Sequence, residues 1–557
     1  MSSALSAINS AHQLLFRLNK HVVVRISHVG YAAYDVLRYC NAIISNKGDH
    51  MWKSDEGRNV SYWQASQDGL ETAALSDSAE ADVCIIGGGI AGLTTAYLLT
   101  RSGKQVVVID DGTIGGGETS RTTAHLTYAI DDRFYRIAKW HGDEKAKLAI
   151  ESHSRAIDEI EKIVSMENID CDFSRLDGYL FEAEDSDDDL DEELEAAHRL
   201  GFDQMKLVER AATKAFDTGR ALRFPNQGQF HILKYLSGLA KIIEKNGGRL
   251  FSNTRAVEWK GENSPQVKTL DGRTIKAGSI VLATNYPIQS KLFAKLPAYR
   301  TYAIGVRVPK GSVEKVLLWD TGDPYHYIRI QEETDHDLLI VGGEDHRTGQ
   351  ENDGDARFQN LWRWTADHFP SAEKVIHHWS GQCFETHDGL AFIGRFSKDE
   401  PNVYLITGDS GMGMTHGTIG GMLVSDLILG RENPWAEVYD PSRLATQSIV
   451  EAVPELIKSA APYVDWITGG DVSSVDEIKN GEGAIIRDGT SKIAAYRDEN
   501  GKLYQRSAVC THMGCIVRFN SAETTWDCPC HGSRFGVDGH VINTPAMSPL
   551  APIEEDS

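Results

Sequence analysis

Four of the chain's eight cysteines, Cys510, Cys515, Cys528 and Cys530, crowd into one short segment near the carboxyl end, with two histidines among them. The segment reads Cys510-Thr-His512-Met-Gly-Cys515 and then Cys528-Pro-Cys530-His531-Gly-Ser533, a Cys-x-His box and a Cys-x-x-His box separated by fifteen residues. A random scatter does not produce such a cluster, and soft thiolates interleaved with imidazoles are metal ligands. Two thiolates and two imidazoles on paired loops can hold a tetrahedral zinc, but that reading leaves the second cysteine of each box and the Gly-Ser pair unexplained. Cys40, Cys84, Cys171 and Cys383 are scattered, and each reads as a small buried apolar residue.

A second pattern lies far upstream. The apolar run at 82–86, the turn Gly87-x-Gly89-x-x-Gly92, a helically spaced stretch to Ser102 and a second apolar run at 105–109 make one βαβ unit. The glycines permit the turn, the close backbone approach and the helix–strand packing that a pyrophosphate at a helix N-terminus requires. Asp110, closing the second strand, supplies the carboxylate that holds a ribose hydroxyl. No second such fingerprint occurs between Asp203 and Asp345, so one dinucleotide is expected, and the fingerprint alone leaves NAD and FAD both open.

At 557 residues the chain is long enough for three or four folding units of about 150 residues. Its 57 Lys and Arg against 80 Asp and Glu give a net charge of −23, which repels phosphate backbones and anionic membranes; nucleic acid is excluded as a partner. No apolar run reaches the 18 or so residues of a spanning helix, so no transmembrane anchor is expected. The first fifty residues are basic and low in acid, which fits either a transit peptide or a disordered tail. Helices are expected over 144–166, 231–246 and 417–429, a short buried strand over 279–284, and an antiparallel sheet over about 306–341. The acidic run 185–195 reads as a solvated helix face or loop. Prolines 434, 441 and 454 mark a connector, with a domain boundary near Gly469.

The stretch from about Ala81 to Arg431 resembles the D-amino-acid oxidase, glycine oxidase and sarcosine oxidase family of FAD-dependent oxidoreductases. The resemblance is carried by Val83-Cys-Ile-Ile-Gly-Gly-Gly-Ile-Ala-Gly-Leu93, Gly115-Gly-Gly-Glu-Thr-Ser-Arg-Thr-Thr-Ala124, Trp379-Ser-Gly-Gln382 with Asp388-Gly389, and Gly408-Asp-Ser-Gly-Met-Gly-Met-Thr-His-Gly417. It implies a bound FAD, with Gly87, Gly89, Gly92, Asp110, Thr122, Thr123, Gly411, Gly413, Met414 and Thr415 around it. His125 lies near the turn where some relatives link the flavin covalently, but it does not align with the linking residue, so a non-covalent FAD is expected. Weak candidates for substrate contact on the antiparallel region are Tyr302, Arg307, Tyr325, Tyr327 and Arg329, since a carboxylate substrate would want a bidentate Arg and a phenol.

The cysteine boxes resemble those of Rieske [2Fe–2S] proteins, particularly the respiratory and photosynthetic type with an extra cysteine pair. The resemblance implies that Cys510 and Cys528 ligate one iron and His512 and His531 the other, and that Cys515 and Cys530 form a disulfide. It further implies that Ser533 hydrogen-bonds cluster sulfur and that the loop Asn543-Thr-Pro-Ala546 covers the cluster. The family's tyrosine two positions after that serine is Phe535 here, so one hydrogen bond is lost. Neutral imidazoles on one iron ease reduction, placing the potential between about −150 and +300 mV rather than near −400 mV.

The expected fold is therefore an α/β FAD-binding domain of GxGxxG, Rossmann-like type with an antiparallel-sheet substrate subdomain, followed by an all-β Rieske domain. The expected layout is an extension at 1–60, the FAD-dependent oxidoreductase domain at 61–431, a linker at 432–468 and the Rieske domain at 469–557. The function implied is dehydrogenation of a small amine, amino acid or hydroxy acid, with electrons passing from flavin to cluster and on to an external acceptor. Two alternatives are a redox sensor and reverse flow from an external reductase to FAD. A cytoplasmic location is expected, or the mitochondrial matrix if the first segment is a transit peptide.

Overall fold

In a computed structural model, which describes residues 59–553 except 68, 184–185, 187–188, 263, 289–295 and 444–460, the first apolar run forms the strand Ala79–Ile86. Its last four residues are buried because parallel strands flank it, Thr274–Leu282 on one side and Val106–Ile109 on the other. The helix Ile90–Arg101 makes the crossover, so the expected βαβ unit is present. Around it runs a sheet in the order Phe392–Arg395, Val403–Thr407, Thr274–Leu282, Ala79–Ile86, Val106–Ile109, Arg249–Phe251, with the hairpin Ala256–Lys260 and Gln266–Thr269 attached. The strand expected at 279–284 begins earlier, because the first residues of Thr274–Leu282 pair with Gln266–Thr269.

The expected helices appear as Asp143–Glu167, Ile232–Lys245 and Gly413–Ile428. The last starts four residues before its expected start, inside a glycine-rich stretch that carries no apolar periodicity. Part of the acidic run nucleates a helix instead of merely coating one. Asp189 caps Leu190–Arg199 through the Asp191 and Glu192 amides, and buried Glu193 accepts the Phe134 amide at 2.7 Å.

The second sheet is larger than the antiparallel region read from sequence. Its nine strands run Lys374–Phe384, Ala298–Val308, Asp337–Arg347, His326–Glu332, Leu317–Asp320, Ser174–Phe181, Ala221–Gln229, His125–Leu126, with Lys206–Val208 beside Ala221–Gln229. One pair, Leu317–Asp320 with Ser174–Phe181, is parallel.

The carboxyl-terminal part is all-β apart from short 3-10 turns at Ala461–Trp466 and Val475–Glu477. It comprises a three-stranded antiparallel sheet of Gly483–Asp488, Ser491–Arg497 and Leu503–Ser507, and a four-stranded one of Arg518–Asn520, Thr525–Asp527, Arg534–Gly536 and Val541–Asn543. The cysteine boxes are loops, the second joining Thr525–Asp527 to Arg534–Gly536. The first fifty residues and residues 444–460 of the connector lie outside the described residues, and no described helix is long and apolar enough to cross a membrane.

Candidate active site and metal centre

A cavity of about 550 Å³ opens where the two large sheets meet, and the fingerprint turn forms one end of it. Gly87 has φ +108°, and a Cβ there would lie 2.3 Å from the Ala283 carbonyl oxygen; a Cβ on Gly92 would lie 1.9 Å from that of Gly87. Only glycine fits either place. Gly89 is the N-cap of Ile90–Arg101 and offers no side chain to its first-turn amides; the Ile90 amide is taken by Thr119 Oγ1 at 3.3 Å, and the rest of this positive helix end faces the cavity. Asp110 accepts the Gly88 amide at 2.7 Å and the Gly112 amide at 2.9 Å, while burial and then Asp111 push its pKa up to about 6.

Thr122, Thr123, Gly411, Gly413, Met414 and Thr415 all line the same cavity, so the structure gathers every residue expected around the flavin except Gly92, which packs behind the turn. The helix Gly413–Ile428 also starts without a side-chain cap, which brings a second open N-terminus to the cavity. Two such ends and a cradle that a Cβ would fill suit an anionic dinucleotide. His125 has both ring nitrogens engaged, Nδ1 with Thr123 Oγ1 at 3.1 Å and Nε2 with the Ile328 carbonyl at 3.2 Å.

On the sheet wall, Tyr302, Tyr325 and Tyr327 line the cavity as expected. Tyr302 meets His346 Nε2 at 2.9 Å, Tyr325 donates to Asp345 Oδ2 at 3.2 Å, and Tyr327 meets Thr301 Oγ1 at 2.6 Å. The two arginine candidates do not stand there. Arg307 lies at the surface, paired with Asp335 and Glu373 at 3.4 Å each. Arg329 is fully buried, donating to the carbonyls of Thr123, Ala124 and Phe230 and to Gln331 Oε1, with its guanidinium 5.2 Å from the Trp63 ring. Strand alternation places a side chain on a face but does not say what that face meets, and here one arginine found solvent and the other a packed interior. Sequence reasoning also missed three acids of the cavity: Asp131 and Asp345, which no motif marks, and Asp409, which sits in the Gly408–Gly417 stretch but was given no role.

In the second domain, Cys515 and Cys530 are joined by a disulfide, which leaves Cys510 and Cys528 as thiols. The two thiols are close enough to perturb one another, and the His512 and His531 rings lie 5.0 Å apart at 86°. Burial lowers the pKa of both histidines, that of His531 to about 4, and so keeps the imidazoles in the neutral form that ligates metal. The Ser533 hydroxyl interacts with Cys510 and accepts the Ala546 amide at 3.0 Å. Phe535 is fully buried in the core behind the boxes. Two thiols, two imidazoles and a clip between their loops fit a [2Fe–2S] centre with mixed ligands.

The two sites share a wall. Ile542, Asn543, Thr544 and Met547 of the second domain line the cavity of the first. Asn543 donates to Glu118 Oε1 at 3.1 Å, Thr544 to the Tyr286 carbonyl at 3.4 Å, and Gln382, itself a cavity residue, to the carbonyl of Gly532 at 2.9 Å. Behind this contact lies a buried ionic network in which Glu523 bridges Arg300 and Arg534, and Arg534 reaches Asp527 at 3.1 Å.

Fold and site together define an oxidoreductase that combines a flavin with an iron–sulfur centre. The chain belongs to the FAD dependent oxidoreductase family, which matches residues 82–427, and carries a Rieske [2Fe-2S] domain at 469–554. Its cofactors are FAD and a [2Fe–2S] cluster. It is 33% identical over 503 residues to the Rieske 2Fe-2S iron-sulfur protein YhfW of Bacillus subtilis, covering 89% of this chain and 97% of that one. It is 27% identical over 376 residues to the gamma-glutamylputrescine oxidoreductase of Escherichia coli, covering 64% of this chain and 85% of that one. Glycine oxidase from Geobacillus kaustophilus shares the fold with a TM-score of 0.55 at 19% identity, covering 66% of this chain and all of that one.

Proposed function

We propose that the protein dehydrogenates a small amine, amino acid or hydroxy acid and passes the electrons through its own Rieske cluster to an external acceptor. Bound FAD supplies a two-electron acceptor for a hydride, and the bound cluster a one-electron centre, so one substrate oxidation requires two single-electron departures. In this reading Gly87, Gly89, Gly92 and Asp110 hold the nucleotide end of FAD, Thr122, Thr123, Gly411, Gly413, Met414 and Thr415 surround the rest, and the flavin is non-covalent. Both nitrogens of His125 being engaged supports the last point. Cys510, Cys528, His512 and His531 hold the cluster.

The observation that carries the relay is the shared loop at 543–547. Its Ala546 amide bonds Ser533 in the cluster pocket, while Asn543, Thr544 and Met547 wall the flavin cavity. His531 is buried on the side where Gly532 meets Gln382, whereas Thr511 and Met513, flanking His512, are exposed. That asymmetry supports entry of electrons on the His531 side and departure on the other.

Anaerobic photoreduction of the flavin in the holoprotein, followed by absorbance and electron paramagnetic resonance, tests the relay without any substrate. The reduced-cluster signal is expected to grow as flavin electrons leave, and Cys510→Ser is expected to hold the flavin reduced. A cluster that stays oxidised beside a fully reduced flavin defeats the proposal.

A further inference from the structure

The sheet wall of the cavity presents acid where a carboxylate clamp was expected. Among the described residues, no lysine lines the cavity, and its four arginines stand off the sheet wall: Arg133 points Nη1 at the Asp131 carbonyl, Arg121 at that of Ser380, Arg136 belongs to the helix Phe134–His141, and Arg255 lies beside Asp111 at the nucleotide end. Asp345 lines the wall with Oδ2 on the Tyr325 hydroxyl and the Thr301 hydroxyl also near the carboxylate, while its Oδ1 is buried with no hydrogen-bond partner. Its cationic neighbour Arg357 is engaged elsewhere, with Nε on Asp353 at 2.7 Å and Nη1 on the Glu344 carbonyl at 2.9 Å. None of the described residues forms an ion pair with Asp345.

The Tyr325 and Tyr327 rings stand beside this carboxylate, 5.6 Å apart and inclined at 35°. The acids converge on one region: the Cys383 thiol is raised first by burial and then by Glu385, Asp409, Asp345 and Asp131. A buried carboxylate oxygen without a donor is costly until a cation reaches it, and aromatic faces next to a carboxylate are the chemistry that receives an alkylammonium.

We propose that the substrate is an amine bound as its ammonium cation, with the charge at Asp345 and the carbon chain against the Tyr325 and Tyr327 rings. The site would then select an amine over a hydroxy acid or an amino acid held by its carboxylate. This rests on reading the cavity as the place of substrate oxidation.

The test uses the oxidised holoprotein under anaerobic conditions, titrated with n-butylamine and n-hexylamine and, as counterparts, butyrate and hexanoate. Binding is read by flavin absorbance change and by calorimetry. Saturable binding of the amines but not the carboxylates is expected, with Asp345→Asn weakening amine binding at least tenfold while the flavin spectrum is retained. Preference for the carboxylates, no amine binding, or amine affinity unchanged in Asp345→Asn would overturn the proposal. If the variant loses FAD, the preference of the unsubstituted protein decides. The relay experiment uses no substrate, so its failure leaves this inference standing, and failure here leaves the relay standing.

Discussion

Asp345 can attract a cation only while it is ionised. Burial pushes its pKa from 3.8 up to about 6, against the hydrogen bonds of Thr301 and Tyr325 and the charge of Arg357, with Glu344 adding to the rise. The acids Asp131, Asp409 and Glu385 and the thiol of Cys383 face the same space. The native carboxyl therefore binds its proton more tightly than the unfolded one. Its contribution to stability is present below pH 3.8 and is lost as pH rises through about 6 in the absence of a cation. An amine reverses that loss, so amine affinity should climb between pH 5 and 7, and Asp345→Asn should flatten this part of the profile, as calorimetry at several pH values will show. Glu523 poses a different problem at the same scale. Its buried carboxylate bridges buried Arg300 and Arg534, so Glu523→Gln leaves two guanidinium groups short of a partner. A loss of about 3–5 kcal/mol is expected in denaturant unfolding.

At the scale of elements, the fingerprint helix depends on how closely it packs against the turn before it. A Cβ on Gly92 would lie 1.9 Å from the Gly87 carbonyl oxygen, so Gly92→Ala must push the helix away from the strand and displace the amides at its N-terminus. The purified variant should show a lower flavin-to-protein absorbance ratio while its Rieske electron paramagnetic resonance signal is kept. Elements of this kind were legible in the sequence because their causes are local. A strand, a glycine turn and a helix follow one another within the unit at 79–109, and the two cysteine boxes each lie within a few consecutive residues, which is enough to carry the resemblance that names their candidate ligands. The large sheet was less legible. Its strands come from six separate stretches of chain, and alternation within 306–341 could not say that Arg329 would meet the carbonyls of Thr123 and Phe230 instead of a ligand. The resemblance makes Asn543-Thr-Pro-Ala546 the cover of the cluster; that Asn543, Thr544 and the nearby Met547 also wall the flavin cavity is a tertiary fact with no local signature.

Across the whole molecule, the proposed relay leaves the Rieske domain two ways to act, by moving between partners or by passing electrons from a fixed seat. The contacts favour the seat. Gln382 holds Gly532, Asn543 holds Glu118, the Ser521 backbone amide donates to Asn352 Oδ1 at 2.8 Å, and the network through Glu523 lies buried between the domains. Releasing the domain would uncover those charges and also remove Asn543, Thr544 and Met547 from the wall of the flavin cavity. Domain motions of large amplitude are slowed by solvent drag, whereas electron passage across a rigid wall is not. Internal transfer after a flash that reduces the flavin should therefore keep its rate when glycerol raises the viscosity several-fold. Loosening the seat with Glu523→Gln should make the same rate fall and become viscosity-dependent. A rate that falls with viscosity in the unsubstituted protein would instead mean that the domain undocks in each cycle, and that the docked arrangement is only one of its positions.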